Sequence, residues 1–291
     1  EEFINRLDNP GIQAKLKKNP NFDTRSLIEV YEDMKIKDKN TVLAIYPASF
    51  VKDSDQQLFP LSGISNKKTI LCNEGGDYSI YQSDRYGFNN PDSEWDKKSI
   101  DFLLIGDSLV HGSCVDPEYN IAGVIRKISN GNSVLNLANR GAGALIEYAF
   151  LREYLKYIQP KRVIWFFSES NDKNDLLKEV KNKYLLNYLE NEKFSQNLAV
   201  LQQKIDKRLL ENQEKIQIQR QISSQTKNES NFLIIMKASY KFLRLRILFG
   251  NTLSEILPNE NFKKILNLSK NLVEHSGAKF YFVYHPDSIK Y

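Results

Sequence analysis

Gly106, Asp107 and Ser108 directly follow the apolar run IDFLLI at 100–105, and together they could present a serine nucleophile. A short apolar run of this kind is typical of a strand buried in a parallel sheet, where ligands bind beyond the carboxyl ends of the strands. A serine there could attack a carbonyl carbon, while free N–H groups at the start of a following helix stabilise the oxyanion. Ser108 could equally be the N-cap of that helix, since serine is a common capping residue. This stretch alone leaves nucleophile and cap as equal alternatives.

Two later apolar runs end in residues that could serve the same chemistry. SVLNLA is followed by Gly141, whose backbone N–H could donate to a ligand that approaches closely. RVIWFFSE is followed by Asn171, whose side-chain amide could point toward the same place. Gly141 could instead be a plain turn residue, and Asn171 could cap the next helix together with Asp172. A dinucleotide-binding loop fits poorly, because Ile146 stands where the third glycine or alanine of that motif should fall.

The elements that would position these residues alternate between strand and helix. IDFLLIGD, SVLNLA, RVIWFFSE and AKFYFVYHP predict strands that are buried on both faces, and EYNIAGVIRKIS and ALIEYAFLREYLKYI predict helices between them. Such alternation indicates βαβ units in a doubly wound parallel sheet. We therefore expect an α/β fold in which the carboxyl ends of three strands bring Ser108, Gly141 and Asn171 to one edge.

The order of these motifs resembles that of the SGNH, or GDSL, hydrolase superfamily. Its members carry Gly-Asp-Ser in a first block, Gly in a second and Asn-Asp in a third, matched here by residues 106–108, Gly141 and residues 171–172. The loop SDRYGFNNPDSEW before the first block looks like a segment that precedes it in bacterial members. The resemblance covers residues 81–176 well and residues 260–291 by strand pattern only, and it implies a flavodoxin-like three-layer α/β/α domain.

By this resemblance, Ser108 would attack an acyl ester and form an acyl-serine intermediate. The Ser108 N–H, the Gly141 N–H and the Asn171 amide would form the oxyanion hole, with Asp107 supporting the site. Water would complete hydrolysis, whereas a sugar or other alcohol would complete acyl transfer, and no metal or cofactor is expected. The alternatives are a noncatalytic domain that binds acylated glycans on the same fold and a nucleotide-binding α/β protein.

The general base is the main departure from the family pattern. The family takes its base from an Asp-x-x-His after the last strand, and none of His111, His275 and His285 has an aspartate three residues before it. We expect His111 to be structural and His275 to be solvated on a helix. His285, at the carboxyl end of the fourth strand, is a lesser alternative as a substitute base, and the favoured interpretation is that the block with the base is missing from this chain. In addition, Glu169 occupies the position of the family's usual glycine before Asn-Asp.

The missing block predicts that the chain ends before the final part of the domain. We therefore expect a nearly inactive fragment of a longer enzyme, because loss of a triad base costs on the order of 10⁶ in turnover. An N-terminal β-rich segment is expected over 1–98 and the incomplete domain over 99–291. A helix is expected near residues 24–34, and NEGGD at 73–77 predicts a hairpin.

A Lys/Glu/Gln/Asn-rich stretch at about 173–258 predicts a helical insertion. It could be a cap, a homodimerisation arm or a solvated excursion, with a loop expected at QISSQTKNES, residues 221–230.

The amino-acid composition limits the partners and compartments that we expect. The net charge of +5 comes from dispersed lysines without a basic stripe, so a nucleic-acid partner is not expected, and the expected partner is a small-molecule or glycan acyl ester. No apolar run reaches the ~18 residues that span a bilayer, and association with a membrane surface stays open.

Cys72 and Cys114 are expected to be buried free thiols, since a disulfide between them needs an oxidising compartment. An extracytoplasmic location fits but is not indicated by a leader.

Overall fold

The computed structural model of the protein describes residues 9–52, 58–169, 171–226 and 260–286. The first part of the chain combines short helices with a small sheet. Its elements are α1 (Pro10–Lys18), α2 (Leu27–Lys37), β1 (Thr41–Leu43), β2 (Lys68–Ile70) and β3 (Ile80–Gln82). Among the described residues before 99 there is more helix than strand, so this part is mixed rather than β-rich. The helix expected near 24–34 begins three residues later, because Ser26 and Glu29 form a capping box at its start.

The predicted hairpin is present. Strands β2 and β3 pair antiparallel, and Leu71 and Cys72 extend the pairing through hydrogen bonds with Ser79. Strand β1 joins the other side of β2 in parallel. This small sheet carries the loops that later reach the candidate site.

The second part is built on a four-stranded parallel sheet. Its strands are β4 (Ile100–Ile105), β5 (Val134–Asn136), β6 (Pro160–Ser168) and β7 (Lys279–His285), in the order β5-β4-β6-β7. All four predicted strands are confirmed, and every neighbouring pair runs parallel. With the helices that connect them, they make this an α/β protein.

The helices of this part, in chain order, are α3 (Ser108–His111), α4 (Ile121–Ile128), α5 (Ala144–Tyr154), α6 (Asp172–Glu179), α7 (Lys183–Glu190), α8 (Gln202–Thr226) and α9 (Glu260–His275). Alternate residues of β4 enter two separate apolar clusters, as expected when successive side chains point to opposite faces of a strand. Leu103 and Ile105 pack with α5 and α9, whereas Leu104 packs with Ala122 of α4. Helices therefore cover both faces of the sheet at its central strand β4.

The loop expected at 83–95 is ordered around one buried carboxylate. Asp84 accepts hydrogen bonds from the backbone N–H groups of Tyr86 and Phe88 and from the side chains of Asn90 and Trp95. Asn90 also exchanges two hydrogen bonds with the backbone of Asn136 on β5. Burial raises the pKa of Asp84 to about 6, although the hydrogen bonds from these donors act to lower it. The loop thus closes the outer edge of β5.

The insertion differs from its prediction. Apolar side chains of α7, of α8 and of the segment between them lie within the main core, so the described part of the insertion is not a solvated excursion. The buried residues are Leu185, Tyr188, Leu189, Leu198, Ile205 and Leu209. Helix α8 runs through residue 226, so the loop expected from residue 221 is wrong over 221–226, and the rest of the insertion to 258 lies outside the described residues. A homodimer through this insertion stays a prediction.

Strand β7 also departs from its prediction of burial on both faces. Tyr281, Phe282, Val283 and Tyr284 are all exposed, because β7 pairs with β6 alone at the edge of the described sheet. Across the described parts of the chain, no helix combines the length and apolar character required to cross a lipid bilayer.

Candidate functional site

Three loops meet at the carboxyl edge of the sheet. The loop after β5 donates from the Asn139 N–H to the Gly106 carbonyl oxygen at 3.3 Å. The loop after β6 reaches the same place, since Asn171 Nδ2 donates to Asp107 Oδ2 at 3.3 Å. Both bonds end on the Gly-Asp-Ser segment that follows β4. The structure therefore places the loops that carry Ser108, Gly141 and Asn171 side by side.

Asp107, not Ser108, is the N-cap of the short helix α3. Its Oδ1 accepts a hydrogen bond from the Leu109 N–H at 2.9 Å, and its side chain is buried. Ser108 is the first helical residue, and it is only partly buried. Among the described residues, no group forms a hydrogen bond with the Ser108 hydroxyl. The expectation that Ser108 itself caps the helix is therefore wrong.

Gly106 is needed for this turn to form. A Cβ atom there would lie 2.6 Å from Val110 Cγ2 and 3.2 Å from the carbonyl oxygen of Phe166. A methyl group would push the start of α3 away from β6. The glycine therefore lets the serine-bearing turn lie against the neighbouring strand.

Gly141 has a left-handed backbone, with φ +71°. This conformation favours glycine, and an added Cβ would lie 2.8 Å from Ala48 Cβ. Neither the Gly141 N–H nor the Ser108 N–H donates to another described residue. Two backbone donors are thus left uncommitted on adjacent loops, as an oxyanion site requires.

Asn171 precedes α6, but its side chain forms no capping hydrogen bond. An amide nitrogen carries two hydrogens, and the bond to Asp107 uses one of them. Asp172 ties down the same loop, since its Oδ2 accepts from the Ser168 N–H at 2.6 Å. The capping interpretation of the Asn-Asp pair therefore does not describe the Asn171 side chain, which is directed to the Gly-Asp-Ser loop.

Buried carboxyl groups lie below these loops. Burial, helped by the charge of Asp107, raises the pKa of Asp172 to about 8. Burial and the charge of Asp172 also raise the pKa of Glu147 well above its usual range, although Trp165 Nε1 donates to its Oε2 at 2.5 Å. One oxygen of Asp172 and one of Glu147 have no hydrogen-bond partner among the described residues. The protonated, neutral forms of Asp172 and Glu147 are therefore favoured beneath the site.

Glu179 is a site residue that sequence reasoning missed. Its Oε1 accepts from the Gly143 N–H at 2.6 Å, and its Oε2 accepts from the Leu145 N–H at 3.0 Å and the Ile146 N–H at 3.4 Å. It thus satisfies the free N–H groups at the start of α5, directly after the Gly141 loop. Burial raises the pKa of Glu179 to about 8, while the three N–H donors act to lower it. The available signal was the spacing of Asp172, Leu176 and Glu179, which puts all three on one buried face of α6.

The first part of the chain forms the rim of the site on the Gly141 side. The short helical turn Pro47–Phe50 brings Ala48 against Gly141, as described above. Cys72 and Cys114 form a disulfide, which corrects the expectation of free thiols. Both cysteines are only partly buried, and their pairing depends on the fold, which brings the hairpin beside the loop after α3. Arg140, next to Gly141, lies over the Tyr46 ring at 5.5 Å.

The three histidines occupy different places. His111 is fully buried edge-on to the rings of Tyr46 and Tyr81. Burial is the main cause that lowers the pKa of His111 to about 4, and the charge of Arg140 adds to it. His275 ends α9 at the amino end of β7, away from the site, where its Nδ1 contacts the Asn271 carbonyl oxygen.

His285 lies at the carboxyl end of β7, opposite Ser168 in the pairing with β6. Its carbonyl oxygen accepts a hydrogen bond from the Glu169 N–H. Since β6 lies between β4 and β7, the backbone of His285 is roughly 10 Å from the line of β4 at the usual strand spacing. His285 is thus at the expected edge, two strands away from Ser108.

The site is built from backbone donors, a serine and carboxyl groups, and in the described ranges no set of three or more His, Cys, Asp or Glu side chains is placed to hold a metal ion. The fold and this arrangement define an α/β protein with a serine at the carboxyl edge of a parallel sheet. Compared with models of known protein families and with curated protein sequences, the chain matches none.

Proposed function

We propose that this chain carries the nucleophile and oxyanion hole of a serine-dependent acyl-ester hydrolase or O-acyltransferase of the SGNH, or GDSL, type. The supporting fold would be a flavodoxin-like three-layer α/β/α domain, in line with the helices on both faces of the parallel sheet. One observation carries the proposal. Ser108 lies with three donor hydrogens that have no acceptor among the described residues. They belong to the Ser108 N–H, the Gly141 N–H and Asn171 Nδ2, on loops joined by direct hydrogen bonds.

In the proposed reaction, Ser108 Oγ attacks the carbonyl carbon of the ester. Negative charge develops on the carbonyl oxygen, and the three donors stabilise it, each being worth about 10²–10³ in turnover. The bond from the carbonyl carbon to the alcohol oxygen then breaks, and the alcohol leaves with the proton taken from Ser108 by the general base. Water or an acceptor alcohol attacks the acyl-serine and restores the hydroxyl. The substrate is a small-molecule or glycan acyl ester.

The general base of this proposal is His285 or a side chain outside the described residues. Asp107 is a poor candidate, because it is buried and both of its oxygens already accept hydrogen bonds. His111 is enclosed by aromatic rings in the core. The disulfide supports an oxidising, extracytoplasmic compartment for the protein.

A noncatalytic domain that binds acylated glycans is the second candidate. It is favoured by a specific observation: within the described ranges, no histidine forms a hydrogen bond with Ser108. In such a protein the oxyanion donors would bind the acyl carbonyl oxygen without any covalent step.

Labelling with a fluorophosphonate probe separates the two candidates, since only an activated serine forms a covalent adduct with it. We expect the full-length protein that contains this chain to be labelled and its Ser108→Ala variant to be unlabelled, with a melting temperature close to that of the wild type. Ser113→Ala is the matched control, because Ser113 lies in the same part of the chain, near His111, and we expect it to be labelled normally. Labelling that persists in Ser108→Ala, or its absence from the wild type, would contradict the catalytic proposal.

A further inference from the structure

Arg140 is held at the rim of the candidate site by contacts that leave its charge available. The residue is exposed and immediately precedes Gly141, so its backbone is about 3.8 Å, one Cα step, from an oxyanion donor. Its guanidinium lies over the ring of Tyr46 at 5.5 Å, and Nη1 lies 4.0 Å from the disulfide sulfur of Cys72. An aromatic face and a sulfur atom fix the side chain without neutralising it.

Two other arginines of this protein have their charge paired by carboxylates of the protein itself. Arg25 forms ion pairs with Asp23 and Asp33, and Arg85 forms ion pairs with two aspartates in the same way. Within the described residues, by contrast, no carboxylate forms an ion pair with Arg140. The positive charge is felt nearby, since it contributes to the lowered pKa of His111.

We propose that Arg140 binds a carboxylate or phosphate group of the substrate, so that the preferred substrate is an acyl ester that carries a negative charge. This inference rests on the proposed function for the identity of the ester, but the binding of an anion at Arg140 does not. A guanidinium presents a planar fork of N–H donors that matches carboxylate and phosphate oxygens. Its place beside Gly141 would set the anion next to the reacting carbonyl group.

Two pairs of acyl esters test the charge preference. 4-Acetoxybenzoate and its methyl ester differ by a charge on the alcohol side, and mono-4-nitrophenyl terephthalate and its methyl ester differ by a charge on the acyl side. A third arm replaces the carboxylate of the first pair by phosphate, as 4-acetoxyphenyl phosphate. One of the two pairs carries its charge on the side of the ester that faces Arg140. For that pair, we expect the ratio of kcat/KM for the charged over the neutral ester to fall about tenfold in Arg140→Met, mainly through KM. Arg140→Lys should retain part of the preference.

Arg162→Met is the matched control. Arg162 also lies over an aromatic ring, that of Phe102, but near the amino end of β6. Its removal should leave the ratio unchanged. A wild-type enzyme that hydrolyses the neutral esters without preferring any charged one, or a preference that survives Arg140→Met, overturns the inference and leaves the proposed function standing.

A binding measurement tests the inference without turnover. 4-Acetamidobenzoate is an amide analogue that resists hydrolysis, and we expect its dissociation constant, measured by calorimetry, to rise about tenfold in Arg140→Met. If the analogue binds more tightly to the wild type than to Arg140→Met, but no ester is hydrolysed and no probe labels Ser108, the inference stands and the proposed function fails. If neither the analogue nor its phosphate counterpart binds more tightly to wild type than to Arg140→Met, the inference is wrong.

Discussion

Replacing Glu179 by glutamine should lower the free energy of unfolding and loosen the loop that carries Gly141. The two carboxylate oxygens accept from three backbone N–H groups, those of Gly143, Leu145 and Ile146. Glutamine keeps one acceptor oxygen and places an NH₂ group against the remaining N–H, which then lies buried without a partner. Such a group costs about 1–3 kcal/mol, so we expect the free energy of unfolding to fall by about 2 kcal/mol.

The same change should slow reaction at Ser108. Gly143 lies two residues after Gly141, and it packs so closely on α6 that a Cβ would be 2.7 Å from the Leu176 nitrogen. Loss of the Gly143 hydrogen bond should therefore loosen the loop that carries Gly141, a proposed oxyanion donor. A donor displaced by about 1 Å can cost on the order of 10² in rate, so the rate of labelling by a fluorophosphonate probe should fall between about tenfold and a hundredfold.

Glu153→Gln provides the matched comparison. Glu153 is equally buried, but it lies near the other end of α5 and accepts from Tyr188, Ser195, Gln196 and Leu198 of the insertion. Urea unfolding should show a similar loss of stability for both variants, and only Glu179→Gln should be labelled slowly. Equal labelling rates in the two variants would refute the positioning role that we assign to Glu179.

Two further measurements follow from the structure. The disulfide between Cys72 and Cys114 closes a loop with a sequence separation of 42, so its reduction should lower the free energy of unfolding by about 4 kcal/mol in urea titrations. A Cys72→Ser/Cys114→Ser variant should be indifferent to reductant, and an equal response in that variant would exclude the disulfide as the cause. Burial raises the pKa of Asp172 to about 8, above its unfolded value of about 4, so its contribution to stability is full below pH 4 and is lost as the pH rises through 8. Asp172→Asn should therefore flatten the decline of the melting temperature between about pH 4 and 8, and an unchanged slope would contradict this.

The strands and connecting helices could be predicted from the sequence because their signals are local. Each strand of the main sheet lies in a nearly continuous apolar run, a composition that is typical of strands buried on both faces of a parallel sheet. The signal fails where burial depends on distant partners. Strand β7, like β6, is rich in aromatic and β-branched residues, yet Tyr281 and Tyr284 are exposed because β7 lies at the edge of the described sheet. Helices α7 and α8 look amphipathic and polar, but only the fold shows that their apolar faces join the main core.

The candidate site was predictable where each residue ends a strand. Ser108, Gly141 and Asn171 could be assigned to one edge because parallel strands bring their carboxyl ends together. Glu179, Arg140 and the disulfide could not be assigned in this way. Their roles come from contacts between segments far apart in sequence, such as the approach of Tyr46 to Arg140.

Because Asp107 caps helix α3, Ser108 at the first position of the helix is not needed as its cap. With its Oδ1 on the Leu109 N–H, the aspartate takes the capping role that a serine would otherwise fill. With its Oδ2 it holds Asn171, so the same side chain links the loop of the proposed nucleophile to the loop of a proposed oxyanion donor. Both oxygens accept hydrogen bonds and the group is buried, which fits a proposed role of Asp107 in positioning the two loops rather than in accepting a proton. The Gly-Asp-Ser order thus has a physical reason: glycine gives the space, aspartate fixes two loops, and the serine hydroxyl remains free among the described residues.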